Sequence, residues 1–176
     1  HLGHDVVMTP TTFAYIDYMQ GDPMIEPPIY GQLRLNTCYG YDPVPGGVDA
    51  KYILGGQGNL WSEQVPSLRH AYYMTYPRGW ALAEVFWSPQ ETRNWVNFVQ
   101  RVENQFIRSD LAENAYSKAM YDAIIKVMMK DGKMWVELGS ELPGVDIHYT
   151  IDNTLPDKYS LKYTQPVIIP EGPVSL

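Results

Sequence analysis

The sequence predicts an α/β unit over residues 1–114 followed by an all-β tail over residues 115–176. Two short apolar runs, near residues 5–9 and 52–54, each lead through glycine and proline towards helical periodicity, and strand–helix alternation implies a parallel sheet. Apolar residues then recur at helical spacing up to about residue 111. Past residue 115 the pattern changes to short alternating runs separated by turn residues.

Taken in order, Asp5-Val6-Val7-Met8-Thr9 is β-branched and stopped by Pro10, which predicts one buried strand. Residues 14–50 hold many prolines and glycines without a sustained period, so a long loop is expected, and loops of that length in compact domains are usually functional. Tyr52-Ile53-Leu54 predicts a second strand, ended by Gly55-Gly56 and expected to lie parallel to the first. Leu68, Tyr72 and Met74 predict a helix before Pro77, which suits the first turn of the next one. Trp80, Leu82, Ala83, Val85 and Phe86 make that next helix apolar almost all round, hence buried. Ser88-Pro89-Gln90-Glu91 has the form of a capping box, and Trp95, Phe98, Val99, Val102 and Phe106 mark one face of an amphipathic helix behind it.

In the tail, Tyr121–Met129 and Met134–Gly139 flank Lys130-Asp131-Gly132-Lys133, a hairpin signal. A helix over 116–130 competes with it, because Met120, Ala123, Ile124 and Val127 also fit a 3.6-residue period. Strands are expected over Asp146–Ile151, Tyr159–Tyr163 and Val167–Ile169, with turns at Pro143-Gly144 and Leu155-Pro156-Asp157.

Composition narrows the function. Of 176 residues, 45% are apolar and 19% charged, which permits a packed core. The formal charge of −7 argues against a nucleic-acid backbone or an anionic membrane as the main partner and leaves uncharged ligands open. Cys38 is the one cysteine, so no intrachain disulfide forms. No apolar run approaches the roughly 18 residues that span a bilayer. The chain begins at His1 and ends at Pro173-Val174-Ser175-Leu176 in a strand-like stretch; both ends read as cut, so the absence of a leader describes this chain alone.

Two clusters just past the predicted strands carry the chemistry: Ala14-Tyr15-Ile16-Asp17-Tyr18, and Gly55-Gly56-Gln57-Gly58-Asn59-Leu60-Trp61-Ser62-Glu63. Ligands of parallel α/β barrels bind at the carboxyl ends of the strands. An aromatic and a carboxylate two residues apart, delivered twice to one rim, suit a polyhydroxylated ring: the aromatic covers its face and the carboxylate accepts from its hydroxyls. Chance occurrence of Tyr-x-Asp and tight packing at Gly-Gly explain the same residues without a ligand. The 14 Tyr and five Trp likewise fit either a stacking surface or ordinary packing plus an interface. His1-x-x-His4 has a metal-like spacing but lies at a terminus without a third ligand, and His70 and His148 read as isolated surface or capping residues. Ser62 and Ser88 have no base nearby in sequence. Arg78 and Glu84 are expected to form a buried pair.

At these positions the chain resembles the family-20 β-N-acetylhexosaminidases. Ala14–Tyr18 resembles their Tyr-Leu-Asp segment, and Gly55–Glu63 their Gly-Gly-Glu-Ala-x-Leu-Trp-x-Glu segment. Pro77-Arg78 through Ala81-Leu82-Ala83-Glu84 to Trp87-Ser88 is similar to their Pro-Arg…Ala-x-Ala-Glu-x-x-Trp-Ser helix, in the same order over residues 5 to about 110. Gly144–Asp152 with Tyr159 and Pro166 resembles the fibronectin-III-like module that follows some of these enzymes. The resemblance implies the last strands and helices of a (β/α)8 TIM barrel, then an incomplete fibronectin-III-like β-sandwich.

It also implies substrate-assisted, retaining, exo-acting hydrolysis of terminal N-acetylglucosamine or N-acetylgalactosamine, with no metal or cofactor. Tyr15 would donate to the acetamido oxygen as a catalytic residue. Asp17 would hold the 6-hydroxyl, Glu63 the 4-hydroxyl, and Trp61 would stack on the sugar. Gln57 stands where the family often has Glu, and Ala14 where it often has Trp. The family's catalytic Asp-Glu pair belongs to an earlier strand, and no Asp-Glu dipeptide occurs in this chain, so the piece alone is expected to be inactive. A non-catalytic carbohydrate-binding or structural module is the competing reading. The implied partners are N-acetylhexosamine glycans, neither nucleic acid nor membrane, and further copies of the chain through barrel edges and Trp80, Phe86 or Trp95. The implied compartment of the parent is periplasmic, secreted or lysosomal.

Overall fold

A computed structural model describes residues 3–24, 26 and 29–170; His1 and residues 173–176, which figured above, lie outside that set. The chain divides into two compact units between Met120 and Tyr121.

In the first unit, β1 (Val6–Met8) and β2 (Ile53–Gly56) pair in parallel, with Val6 opposite Ile53, Val7 opposite Gly55 and Met8 opposite Gly56. The parallel pair is the one the sequence predicts. Tyr52 belongs instead to a 3-10 turn, Ala50–Tyr52, opened by the Asp49 side chain accepting from the Lys51 N–H. The expected burial of the first strand does not hold. Val6 and Val7 are 42% and 48% exposed, because β1 and β2 are the whole of their sheet among the described residues.

The long connection is less irregular than expected. It follows α1 (Thr11–Ala14) and contains α2 (Leu35–Tyr39), whose Leu35, Cys38 and Tyr39 are buried together with Leu33 and Tyr41. A helix this short has no repeat for periodicity to register.

α3 (Leu68–Thr75) is capped by the Ser67 hydroxyl, which accepts from the His70 N–H at 3.2 Å. α4 (Arg78–Trp87) starts directly after Pro77, as expected. It is not buried all round: Ala81, Leu82 and Val85 face the core, Trp80 and Phe86 are half-buried, and Trp87 is exposed. α5 (Trp95–Leu111) buries Phe98, Val99, Val102 and Phe106, the predicted face.

The expected capping box does not start α5. Ser88 ends α4, donating its N–H to the Glu84 carbonyl at 2.8 Å, and Gln90–Thr92 form one 3-10 turn. Arg93 stays extended and sends its guanidinium to the carbonyls of Tyr41 (2.8 Å) and Tyr39 (3.3 Å). The helix therefore begins only at Trp95, and Asn94 caps it by accepting from the Asn97 N–H at 3.0 Å.

Arg78 and Glu84 do not pair. Glu84 accepts from both arms of Arg101 (2.7 and 2.9 Å) and from the Tyr39 hydroxyl (2.7 Å), joining α4, α5 and α2. Burial works against its ionisation, but these donors hold its carboxyl below the usual range. Above this cluster Tyr39 stacks on Phe98 at 4.4 Å. Residues 116–119 close the unit: Tyr116 stacks on Phe106 at 4.2 Å, the Ser117 N–H donates to the Tyr76 carbonyl, and Arg34 donates to the Ala119 carbonyl.

The second unit holds the predicted hairpin. β3 (Ile124–Lys130) and β4 (Lys133–Gly139) pair antiparallel around Asp131 and Gly132, whose φ angles of 52° and 71° are both left-handed, as a type I′ turn requires. A 3-10 turn, Ala119–Tyr121, precedes it in place of the competing helix. β5 (His148–Tyr149) pairs with β6 (Leu161–Lys162), and β7 (Val167–Ile168) pairs with β4. The strands expected over 146–151 and 159–163 shrink to these short pairs. Asp152 accepts from the Thr154 N–H, and Asp157 from those of Tyr159 and Ser160, turns that take backbone donors out of any ladder. His148 lies with Nδ1 3.0 Å from the Ser160 carbonyl oxygen. No helix among the described residues is long and apolar enough to cross a membrane.

Candidate functional site

The pairing of β1 with β2 does not stop where the strands end. The Gln57 N–H donates to the Met8 carbonyl (3.0 Å), the Asn59 N–H to the Ala14 carbonyl (2.8 Å), and the Ile16 N–H to the Asn59 carbonyl (2.8 Å). Tyr15 is thereby bridged in parallel to Asn59, and the two clusters singled out in the sequence become neighbours although about 45 residues separate them. The Asn59 side chain is tied on both sides: its Nδ2 donates to the Thr9 hydroxyl (3.1 Å) and its Oδ1 accepts from Gln57 Nε2 (2.5 Å). Gln57 thus serves the rim's framework.

The glycines bring this rim close to α4. A Cβ on Gly56 would lie 2.1 Å from the Phe86 ring, and one on Gly58 would lie 2.8 Å from Leu82. Ala14 is fully buried behind the rim, which leaves no room there for an indole without repacking.

On this frame the Tyr15 and Trp61 rings stand 6.2 Å apart at a 57° tilt, close enough to contact one six-membered ring together. Trp61 is half-exposed and Glu63 exposed. Glu63 also borders an open groove of about 460 Å³ with Ser62, Val65 and His70. Asp17, by contrast, is only 2% exposed. Its Oδ2 accepts from the Tyr30 hydroxyl at 3.4 Å, while Oδ1 is buried with no protein partner. Burial pushes the Asp17 carboxyl above its ordinary range; the donated bonds and the Arg78 charge pull the other way, and Glu63 adds to the rise. The two carboxylates therefore lie within electrostatic reach of each other.

Three contributors had no part in the site as read from the sequence. Arg78 is fully buried and donates to the carbonyls of Ile16 (2.5 Å), Tyr18 (2.7 Å), Leu33 (3.1 Å) and Met74 (2.7 Å), so it grips the segment carrying Tyr15 and Asp17. Burial lowers its pKa to about 10, which leaves it charged at neutral pH. Tyr18 and Tyr30 continue the aromatic rim, at 5.9 Å from Tyr15 to Tyr18 and 5.4 Å from Tyr18 to Tyr30, both edge-on. Tyr18 was visible as the last residue of the first cluster, whereas Tyr30, in the long connection, belongs to neither cluster. No metal-binding cluster of His, Cys, Asp or Glu occurs among the described residues. Stacking faces, a phenolic donor and carboxylate acceptors equip the rim for a neutral ring rich in hydroxyls.

Comparison with known proteins agrees with this inventory. The profile of the glycosyl hydrolase family 20 catalytic domain matches residues 1–90, and that of the "Fn3 associated" family matches residues 136–173. A β-hexosaminidase of Porphyromonas gingivalis is 32% identical over 175 residues, covering 95% of this chain and 22% of that protein. One of Akkermansia muciniphila is 33% identical over 117 residues, covering 60% of this chain and 22% of that protein. The chain thus spans about a fifth of the length of these relatives. Among solved structures, the exo β-N-acetylglucosaminidase of Vibrio harveyi, determined with N-acetylglucosamine, superposes with a TM-score of 0.61 at 32% identity over 66% of this chain and 19% of that one. The β-N-acetylhexosaminidase of Streptomyces coelicolor shares the fold, with a TM-score of 0.61 at 23% identity over 66% of this chain and 24% of that one.

Proposed function

Because the chain belongs to glycosyl hydrolase family 20, we propose that it supplies one wall of the sugar pocket of an exo-acting β-N-acetylhexosaminidase. The whole enzyme removes terminal N-acetylglucosamine or N-acetylgalactosamine from glycans, with the substrate's acetamido oxygen attacking the anomeric carbon and the configuration retained. The first unit, up to Met120, is the closing part of its (β/α)8 barrel, and the second, from Tyr121, part of a fibronectin-III-like module.

The observation that carries this reading is the apposition of Tyr15 and Trp61 across a rim that also holds Asp17 and Glu63. Trp61 stacks on the sugar's C–H face. Asp17 and Glu63 accept from the 6- and 4-hydroxyls. The Tyr15 hydroxyl donates to the acetamido oxygen, whose charge changes most as it attacks, so this bond acts on the transition state more than on the bound substrate. The orphaned Asp17 Oδ1 supports its assignment, since a buried carboxylate oxygen without a partner is costly until a ligand hydroxyl donates to it.

The test is hydrolysis of an aryl N-acetyl-β-glucosaminide by the full-length protein that carries this chain. Tyr15→Phe is expected to lower kcat more than it raises KM, and NMR of the first-formed sugar is expected to show the β-anomer. A protein that binds the sugar without turning it over, or a Tyr15→Phe variant with undiminished kcat, refutes the reading.

A further inference from the structure

We propose that Tyr30 is a positioning residue that sets specificity in this pocket: its hydroxyl engages one oxygen of Asp17 and leaves the other for a single ligand hydroxyl, so that together the two residues select ring ligands that carry that hydroxyl. The proposal rests on the hexosaminide reading above and deepens it.

Tyr30 sits where it does for backbone reasons. The Met19 N–H donates to the Gly31 carbonyl (2.9 Å) and the Leu33 N–H to the Met19 carbonyl (2.8 Å), a parallel bridge that lays the 30–33 segment along the rim. Gly31 permits the close approach, since a Cβ there would fall 2.4 Å from the Tyr18 ring. The bridge places the Tyr30 ring edge-on against Tyr18 and its hydroxyl 3.4 Å from Asp17 Oδ2.

Core packing does not account for the side chain, because Tyr30 is 76% exposed. Asp17 beneath it is almost wholly enclosed. A carboxylate with two free oxygens could rotate and accept from hydroxyls in more than one position. Engaging Oδ2 removes that freedom and leaves the buried, unpartnered Oδ1 to do the recognising. A polar group left unpaired in the absence of one substrate hydroxyl is the strongest form of small-group discrimination available to a binding site. Tyr30 is also within electrostatic reach of Glu63.

The experiment uses the full-length protein that carries this chain, with aryl N-acetyl-β-glucosaminide and its 3-, 4- and 6-deoxy analogues as probes. Wild type is expected to disfavour the 6-deoxy analogue strongly, since Asp17 accepts from the 6-hydroxyl. Tyr30→Phe keeps the ring and its contact with Tyr18 but deletes the hydroxyl. It is expected to raise KM for the parent sugar three- to tenfold, with a smaller effect on kcat, and to shrink discrimination against that same analogue by a similar factor. Combined with Asp17→Ala, Tyr30→Phe should have no further effect, because the residue acts through Asp17. Unchanged discrimination in Tyr30→Phe, or effects that add fully to those of Asp17→Ala, overturns the proposal while leaving the hexosaminide reading intact. A wild-type protein that hydrolyses none of the probes overturns both.

Discussion

Replacing Arg78 with Met should loosen the site from behind without touching its surface. The guanidinium donates to the carbonyls of Ile16, Tyr18, Leu33 and Met74, and each loses a charge-assisted partner in a place where water does not reach. At about 1.5 kcal/mol for each bond, the lower end for charged groups, the gross loss is about 6 kcal/mol. Against it stands the cost of burying the guanidinium. Net of the attraction from nearby acidic groups, a pKa lowered from 12.5 to about 10 puts what remains of that cost at about 3 kcal/mol. Methionine fills much of the same volume and removes the cost, so the net destabilisation expected is about 3 kcal/mol. Arg78→Lys should fall between the two, because one ammonium cannot reach acceptors along both arms of the fork. Urea unfolding followed by tryptophan fluorescence measures the loss, and limited proteolysis should show new cleavage within 16–33 before the rest of the chain. An Arg78→Met variant within about 0.5 kcal/mol of the parent, uncut in that segment, would refute the argument.

Three other perturbations are expected to behave as follows. Gly56→Ala puts a Cβ 2.1 Å from the Phe86 ring and should destabilise by about 1–3 kcal/mol in urea unfolding, with partial recovery when Phe86→Leu is added. Because burial raises the Asp17 pKa, the folded chain binds this proton more tightly than the unfolded one; the group's contribution is full below the ordinary value of 3.8 and is lost as pH rises through the raised value, a slope that Asp17→Asn should remove from a stability–pH curve. Glu84→Gln should cost about 1 kcal/mol in urea unfolding, since Arg101 is half-exposed but the Tyr39 hydroxyl also loses a charged acceptor.

What the sequence made legible was whatever a few consecutive residues encode by themselves. Val6–Met8 and Ile53–Gly56 advertised strands by β-branching and a glycine stop, Trp95 to Phe106 a helix by period, and Asp131-Gly132 a turn by its demand for two left-handed residues. That the clusters of Tyr15 and Trp61 meet was legible because each lies only a few residues past its strand. What was misread depended on partners remote in sequence. Asn94 caps α5 in place of Ser88 because Arg93 is held extended by the carbonyls of Tyr39 and Tyr41, 54 and 52 residues away. Asp17 is buried, and its protein partner is Tyr30, 13 residues on.

The misassignment of Arg78 shows the physical limit most clearly. A reader of sequence pairs charge with charge, and Glu84 lies six residues on. Yet every residue carries a carbonyl, so an arginine that satisfies backbone acceptors leaves no mark at its partners' positions. The two motifs that hold the rim's aromatics and carboxylates say what the site contains. What sets the distance between Tyr15 and Trp61 is different in kind: Asn59 bonded to both strand ends, and a guanidinium reaching from α4 to the carbonyls flanking Asp17. The chemistry of the pocket is thus written locally, and its geometry is supplied by a helix whose sequence shows only an apolar face.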